Sequence, residues 1–177
     1  MATDTIYFWK TGEHPYGAFS NWAATPFEAE GWKFATAEHY IMWRKATLFG
    51  DDHTAHRVLL AATPIEAKAF GRRVRGFDDD VWRMRRDGIA HDALLHKFTS
   101  SRQLCDLLLG TGGAVIAEAS PVDTVWGIGI DAEAARSGVA WRGENVLGRA
   151  LMRVRNILRD GGAAAEGNSK QSGDKDE

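Results

Sequence analysis

The chain has 177 residues, 44% of them apolar and 26% charged, with a formal net charge of −2. That length suits one domain with its own core rather than two, and the mix is that of a soluble globular protein. No run approaches the roughly 18 to 20 apolar residues of a membrane span, and the charge excludes a protein that grips nucleic acid mainly by neutralising phosphates.

Thr5 to Trp9 is rich in β-branched and aromatic residues and reads as an opening strand. The stretch from Thr11 to Gly17 holds two glycines and Pro15, so it is a loop. Phe19-Ser20-Asn21-Trp22 follows, two rings bracketing a hydroxyl and an amide. It reads either as a turn stapled to a core or as the lip of a pocket that stacks a flat base. Phe27 to Phe34, with Gly31 in its middle, predicts a short hairpin. Thr36 is a plausible N-cap for a helix over 37–48. Asp51-Asp52 can cap a second helix to about Ala61, and Thr63-Pro64 opens a third, with proline in its first turn. The longest helix begins at Asp78 to Asp80. The spacing of Val81, Met84, Gly88, His91, Leu95 and Phe98 predicts its buried stripe. Ser100-Ser101 caps a shorter helix through Leu109, and Ala114 to Glu118 reads as a strand. Residues 121–143 are Gly-rich and irregular, a last helix runs from Asn145 to about Arg159, and the polar stretch over 161–177 is expected to be a disordered tail. The elements amount to an α+β domain with two long polar-aromatic loops, near residues 10–26 and 119–143, where function is expected.

The single Cys105 lies in an apolar run and reads as a small core residue. With no partner for a disulfide it suits a reducing compartment. The opening residues have neither the basic nor the apolar region of a secretory leader, so a cytoplasmic location is expected. Seven tryptophans are the one compositional oddity, and some are expected to face a ligand.

Candidate chemistry divides into pairs of readings. Glu38, in the first turn of its helix with Met42 and Lys45 on the same face, either complements the helix dipole or is kept ionised by it to stabilise a developing cation. Trp82, one position off the stripe and followed by Arg85 and Arg86, is a second packing face or a ring over a base beside phosphate-binding guanidiniums. Asp123 makes an Asx-turn or faces a site; Glu118, at a strand end, can pair with any basic residue. The arginines from Arg72 to Arg86 could form a local basic patch. His53 and His56 lack the HExxH pattern and no cysteine pair exists, so no metal site is expected. The glycines at 110–113 follow a helix and precede a strand, the reverse of a phosphate loop. None of this selects a reaction.

Taken in order, several segments do. They are Phe19 to Trp22, then Ala37-Glu38-His39-Tyr40 with Lys45, then Trp82 with Lys97-Phe98. Next come Pro121-Val-Asp123-Thr-Val-Trp126-Gly127 and Gly143-Glu-Asn145-Val-Leu147-Gly148, with Leu151-Met152 and Arg155. Together, over about residues 5 to 158, they resemble the YbiA-like or NADAR domain family. The resemblance implies a YbiA-like α+β fold, a single helix-rich domain with a small β-sheet over 1–160. It implies an N-glycosidase that cleaves the bond between ribose C1′ and a base nitrogen, with essential side chains at Glu38, Trp82 and Asp123. Substrate contacts are expected at Phe19, Ser20, Asn21, Lys45, Arg85, Trp126, Gly127 and Asn145, with Ser20 and Asn21 binding polar groups and Phe19 and Trp22 stacking or propping the loop. No metal or organic cofactor is implied. The expected partner is a phosphorylated riboflavin-biosynthesis intermediate or ADP-ribosylated guanine, the latter with transient contact to nucleic acid; no membrane is involved. A non-catalytic nucleotide-binding module is the remaining alternative. The loop from Gly127 to Gly138 departs from the family in carrying more acid and alanine than its Gly/Lys-rich counterpart, which bears on phosphate recognition there.

Overall fold

The computed structural model describes residues 4–171, with side chains as far as 161. Strand β1 (Thr5–Phe8) pairs in parallel with β4 (Val115–Glu118), in a register that sets Thr5 against Val115 and Phe8 against Glu118. Parallel strands cannot be joined by a tight turn, and here the crossover between them runs over residues 9–114. It contains the hairpin β2 (Phe27–Ala29) and β3 (Trp32–Phe34), antiparallel across a turn in which Glu30 and Gly31 both take positive φ, 51° and 80°. Two positive φ values are what a type I′ hairpin turn requires.

Five helices complete the crossover: α1 (Ala37–Leu48), α2 (Asp52–Leu59), α3 (Pro64–Gly71), α4 (Asp79–Thr99) and α5 (Arg102–Leu109). Each begins at a side chain that accepts from a backbone N–H of its first turn: Thr36, Asp51, Thr63, Asp78 and Ser101. Asp51 also takes the Arg75 guanidinium at 2.7 Å, which holds its carboxyl well below the ordinary carboxylate range. Within 121–143 a short helix, α6 (Ala132–Arg136), forms where irregular chain is expected from the sequence. Helix α7 (Val146–Gln171) continues beyond the predicted end near Arg159. Of the tail expected over 161–177, residues 172–177 lie outside the described residues.

The core has two main apolar clusters. One packs α1, the hairpin, α2, α3 and the first half of α4; the other packs β1, β4, α7 and the second half of α4. Trp126 touches both.

Helix α4 corrects the predicted stripe. Its buried face is Trp82, Arg86, Ile89, Ala90, Ala93, Leu94, Lys97 and Phe98, while Met84 is 74% exposed. An apolar count rejects a face that contains an arginine and a lysine, and so it slips by one position. Both cations are buried against partners from distant parts of the chain. Lys97 Nζ donates to the Ser20 carbonyl at 2.9 Å. Arg86 pairs with Glu144, and Arg149 reaches Asp87 at 2.7 Å, so α4 is tied to α7 by charge as well as by packing.

Candidate active site

Ligand sites in open parallel sheets collect beyond the carboxyl ends of the strands, and the two-stranded parallel ladder follows that rule. A cleft of about 650 Å³ opens where β1 and β4 end. Trp9, Lys10 and Thr11 come from the end of β1, and Glu118, Ser120 and Asp123 from the end of β4. Ser20 and Trp22 close it from the first long loop, and Lys68 and Arg72 from α3. A volume of this size suits a small-molecule ligand.

Two carboxyls, Glu118 and Asp123, line the cleft, and a third, Glu38, is buried close by, within reach of the charges of Lys68, Asp123 and Arg72. Glu38 lies in the first turn of α1, nine-tenths and more buried, its backbone N–H donating to the Asn21 carbonyl at 2.9 Å. Burial pushes its carboxyl up to about 7; Lys68, the Trp22 indole and Arg72 pull it down, and Asp123 pushes it further up. Against the expectation that the helix dipole keeps Glu38 ionised, the largest influence on its carboxyl is burial, which favours the protonated form. Glu118 is raised to about 8, first by burial, then by the Asp123 and Glu38 charges, with Lys68 opposing. Asp123 uses Oδ1 to accept from the backbone N–H groups of Val125 and Trp126 at 2.9 and 2.8 Å, an Asx-turn. Its other oxygen has no protein donor among the described residues. Both readings of Asp123 therefore hold at once: one oxygen builds the loop and the carboxylate lines the cleft. Among the described residues no set of three or more His, Cys, Asp or Glu is placed to hold a metal ion.

The two cations depend on a close helix approach. A Cβ at Gly71 would meet the Met42 side chain, so the glycine lets the end of α3 lie against α1 without moving that thioether, and Lys68 and Arg72 lie within reach of the Glu38 charge. The two rings are Trp9 and Trp22, the latter 36% exposed with the Lys68 ammonium 5.6 Å from its centroid.

The Phe19-Ser20-Asn21-Trp22 segment thus divides its labour. Phe19 is fully buried between Phe8, Tyr16 and Phe98 and is a core residue, which corrects its assignment as a substrate contact. Ser20 lines the cleft with its carbonyl held by Lys97, and its Oγ accepts from the Trp22 backbone N–H at 3.2 Å. Asn21 caps α1 with its carbonyl and keeps a buried Oδ1 with no protein partner. Trp22 is the ring that faces the cleft.

Other expected contacts are placed elsewhere. Trp82 is 9% exposed, on the buried face of α4 instead of off it, and Lys45 Nζ lies 5.4 Å from its ring centroid. Burial lowers the Lys45 ammonium, while Asp79 and Glu38 raise it and Arg72 lowers it; neither Lys45 nor Trp82 lines the cleft, and Trp82 belongs to the apolar cluster of α1 and α4. Arg85 is exposed on α4, and Arg86 serves Glu144; neither lines the cleft, and the run from Arg72 to Arg86 is no single patch. Trp126 is wedged between the two apolar clusters. Gly127 is a packing glycine, where a Cβ would come within 2.8 Å of the Glu118 carbonyl. Asn145 spends its amide on β4, with Oδ1 accepting from the Glu118 N–H at 3.1 Å and Nδ2 donating to the Ile116 carbonyl at 2.9 Å. It positions Glu118 and does not reach the cleft. Sequence reasoning missed Glu118, Lys68 and Arg72 as site residues. Two cations ending a helix look like ordinary dipole partners, and an acid ending a strand looks solvated.

The NADAR domain family matches residues 7–159. N-glycosidase R617 of Acanthamoeba polyphaga mimivirus is 35% identical over 165 residues, 88% of this chain and 97% of that protein. The chloroplastic riboflavin biosynthesis protein PYRR of Zea mays is 34% identical over 179 residues, 93% of this chain but 27% of PYRR. Further curated relatives also carry the name N-glycosidase. The NMR structure of the E. coli protein YbiA superposes with a TM-score of 0.77 at 29% identity, covering 92% of this chain and 89% of that one. A helix-rich α+β domain with an acid-floored cleft and such relatives is a glycosidase by class. The chain belongs to the NADAR domain family.

Proposed function

We propose that the chain hydrolyses the ribose C1′–N bond of a phosphorylated, ribosylated base, with intermediates of riboflavin biosynthesis as the substrate class. One observation carries this reading: a single cleft is lined by Glu118 and Asp123, by Lys68 and Arg72 and by the indoles of Trp9 and Trp22, with Glu38 buried beside it. Breaking the bond places positive charge on C1′ and O4′. The Asp123 carboxylate faces the cleft and offsets that charge. Glu38, whose carboxyl is raised to about 7, is matched to taking a proton from the attacking water near neutral pH. Lys68 and Arg72 hold the phosphate, Arg72 able to do so through two N–H groups. Trp9 and Trp22 flank the heterocycle. The name of the maize relative supports the riboflavin branch of this reading.

A second reading, removal of ADP-ribose from guanine, is favoured by a different observation. A neighbouring cavity of about 960 Å³ shares Thr11 and Trp22 with the acid cleft, giving a longer ligand room to extend. Incubating purified protein with a phosphorylated ribosylaminopyrimidine and, separately, with an ADP-ribosylated guanine oligonucleotide distinguishes the two. Release of ribose 5-phosphate from the first substrate is the expected result; release of ADP-ribose alone selects the second reading.

A further inference from the structure

Hydrolysis as proposed above leaves one proton unassigned. When the C1′–N bond breaks, its electron pair stays on the leaving nitrogen, and a poorly stabilised nitrogen anion does not depart without a proton. Water supplies the oxygen that bonds to C1′, and its proton goes to a carboxylate on the sugar side. A separate group must supply the proton on the base side.

We propose that Glu118 is that group, a neutral carboxylic acid that donates its proton to the departing nitrogen. The proposal rests on the hydrolytic reading. Glu118 lines the cleft, and its Oε2 is buried without any hydrogen-bond partner in the protein, an arrangement that leaves a donor or acceptor open for a ligand. The residue is held on both sides of its backbone. Its N–H donates to Asn145 Oδ1 at 3.1 Å, and its carbonyl accepts from the Ile128 N–H at 2.8 Å. The side chain thus leaves a rigid strand end, which suits a group that must meet one atom of a substrate.

Every charged neighbour on the surrounding elements bears on its protonation. Glu38 from α1 and Asp123 from the following loop disfavour the carboxylate; Lys68 from α3 favours it, and Arg72 on the same helix and Lys10 after β1 are the other cations of the cleft. Burial and the two acids prevail, and the carboxyl is raised to about 8. An acid beside another acid of different environment is the arrangement that divides donor from acceptor roles. After donation Glu118 is a carboxylate, and the proton that Glu38 took from water balances the reaction.

The test compares two leaving groups in wild type and Glu118→Gln. One substrate is a ribosylaminopyrimidine phosphate, whose nitrogen needs a proton; the other is 4-nitrophenyl ribofuranoside 5-phosphate, whose nitrophenolate leaves without one. Glu118→Gln is expected to lose about 100-fold in kcat on the first and no more than about threefold on the second. The alkaline limb of the wild-type pH profile, near pH 8, is expected to vanish in the variant. Equal losses on both substrates, or no loss on either, overturn the donor role, as does a Glu118 carboxyl that titrates in the ordinary glutamate range by carbon NMR. Wild-type protein that cleaves neither ribosyl substrate overturns the substrate reading above and takes the donor role with it. Glu118→Asp guards against a folding artefact: it keeps the acid and shortens its reach, so it is expected to retain the alkaline limb at reduced kcat.

Discussion

Arg86 and Glu118 are both ionisable side chains drawn into this protein, and only one of them has a partner. Arg86 meets Glu144 in the segment just before α7, and its neighbour Asp87 meets Arg149 on α7, so these charges find partners within the fold. At the cleft the opposite holds. Glu118 Oε2 and Asn21 Oδ1 are buried with no protein partner, and Glu38, Glu118 and Asp123 lie near the cations Lys10, Lys68 and Arg72 without a direct ion pair between them. Unpaired buried polar groups are unfavourable, by about 1–3 kcal/mol each. Arg86 Nε is also buried without a hydrogen bond, but its guanidinium keeps carboxylate partners in Glu144 and Asp87, whereas Glu118 has no ion-pair partner and a ligand can relieve it.

The sharpest way to break this comparison is at Trp82, which belongs to the satisfied side by burial. It packs in the cluster of α1 and α4 with Lys45 over its ring. Trp82→Ala is expected to cost roughly 3 to 5 kcal/mol of folding free energy. Chemical denaturation measures it. A loss below about 1 kcal/mol, together with abolished turnover, would return Trp82 to the ligand.

Glu38 gives the converse. It is buried on the unsatisfied side, so Glu38→Gln is expected to fold normally and to lose at least about 100-fold in turnover. A correctly folded variant with near wild-type turnover removes Glu38 from the reaction.

The sequence made the scaffold legible because local chemistry specifies it. Thr36, Asp51, Thr63, Asp78 and Ser101 begin helices by a cap that needs no tertiary context. Glu38 and Asp123 stood out only through the resemblance of ordered segments. What stayed hidden depends on distance in space. Arg86 and Lys97 face inward because of Glu144 and the Ser20 carbonyl, 58 and 77 positions away, and no periodicity reports that. Lys68 and Arg72 reach the cleft because Gly71 lets α3 settle on Met42, a contact between helices. The same holds for Asn145, whose amide reads as a ligand contact until β4 is seen to consume it.

Lys68 and Arg72 sharpen the comparison at the level of binding. If they hold the phosphate in both ground and transition states, Lys68→Ala and Arg72→Ala should each raise KM by about tenfold with kcat within about threefold. The same variants should leave KM for the dephosphorylated substrate unchanged. A KM increase that is equal with and without the phosphate assigns the two cations to the acids of the floor instead.

The smallest expected effect is on stability against pH, and it separates the two sides without a substrate. Burial and the Asp123 and Glu38 charges raise the Glu118 carboxyl from an ordinary 4.5 to about 8, so between those values the native state holds a proton that the unfolded chain has released. Stability then falls as pH rises across that window. Glu38, raised to about 7, acts in the same direction over a narrower range. Lys97 acts oppositely and at higher pH. Burial lowers its ammonium from 10.5 to about 7, so stability rises with pH between those values. Below pH 7 the lysine is charged in both states and contributes no slope. Melting temperatures of wild type and Glu118→Gln between pH 5 and 7 therefore isolate the carboxyl. Wild type is expected to lose a few degrees relative to the variant over that interval. Parallel curves would mean that Glu118 enters the fold already ionised, and that the cleft's charges are settled after all.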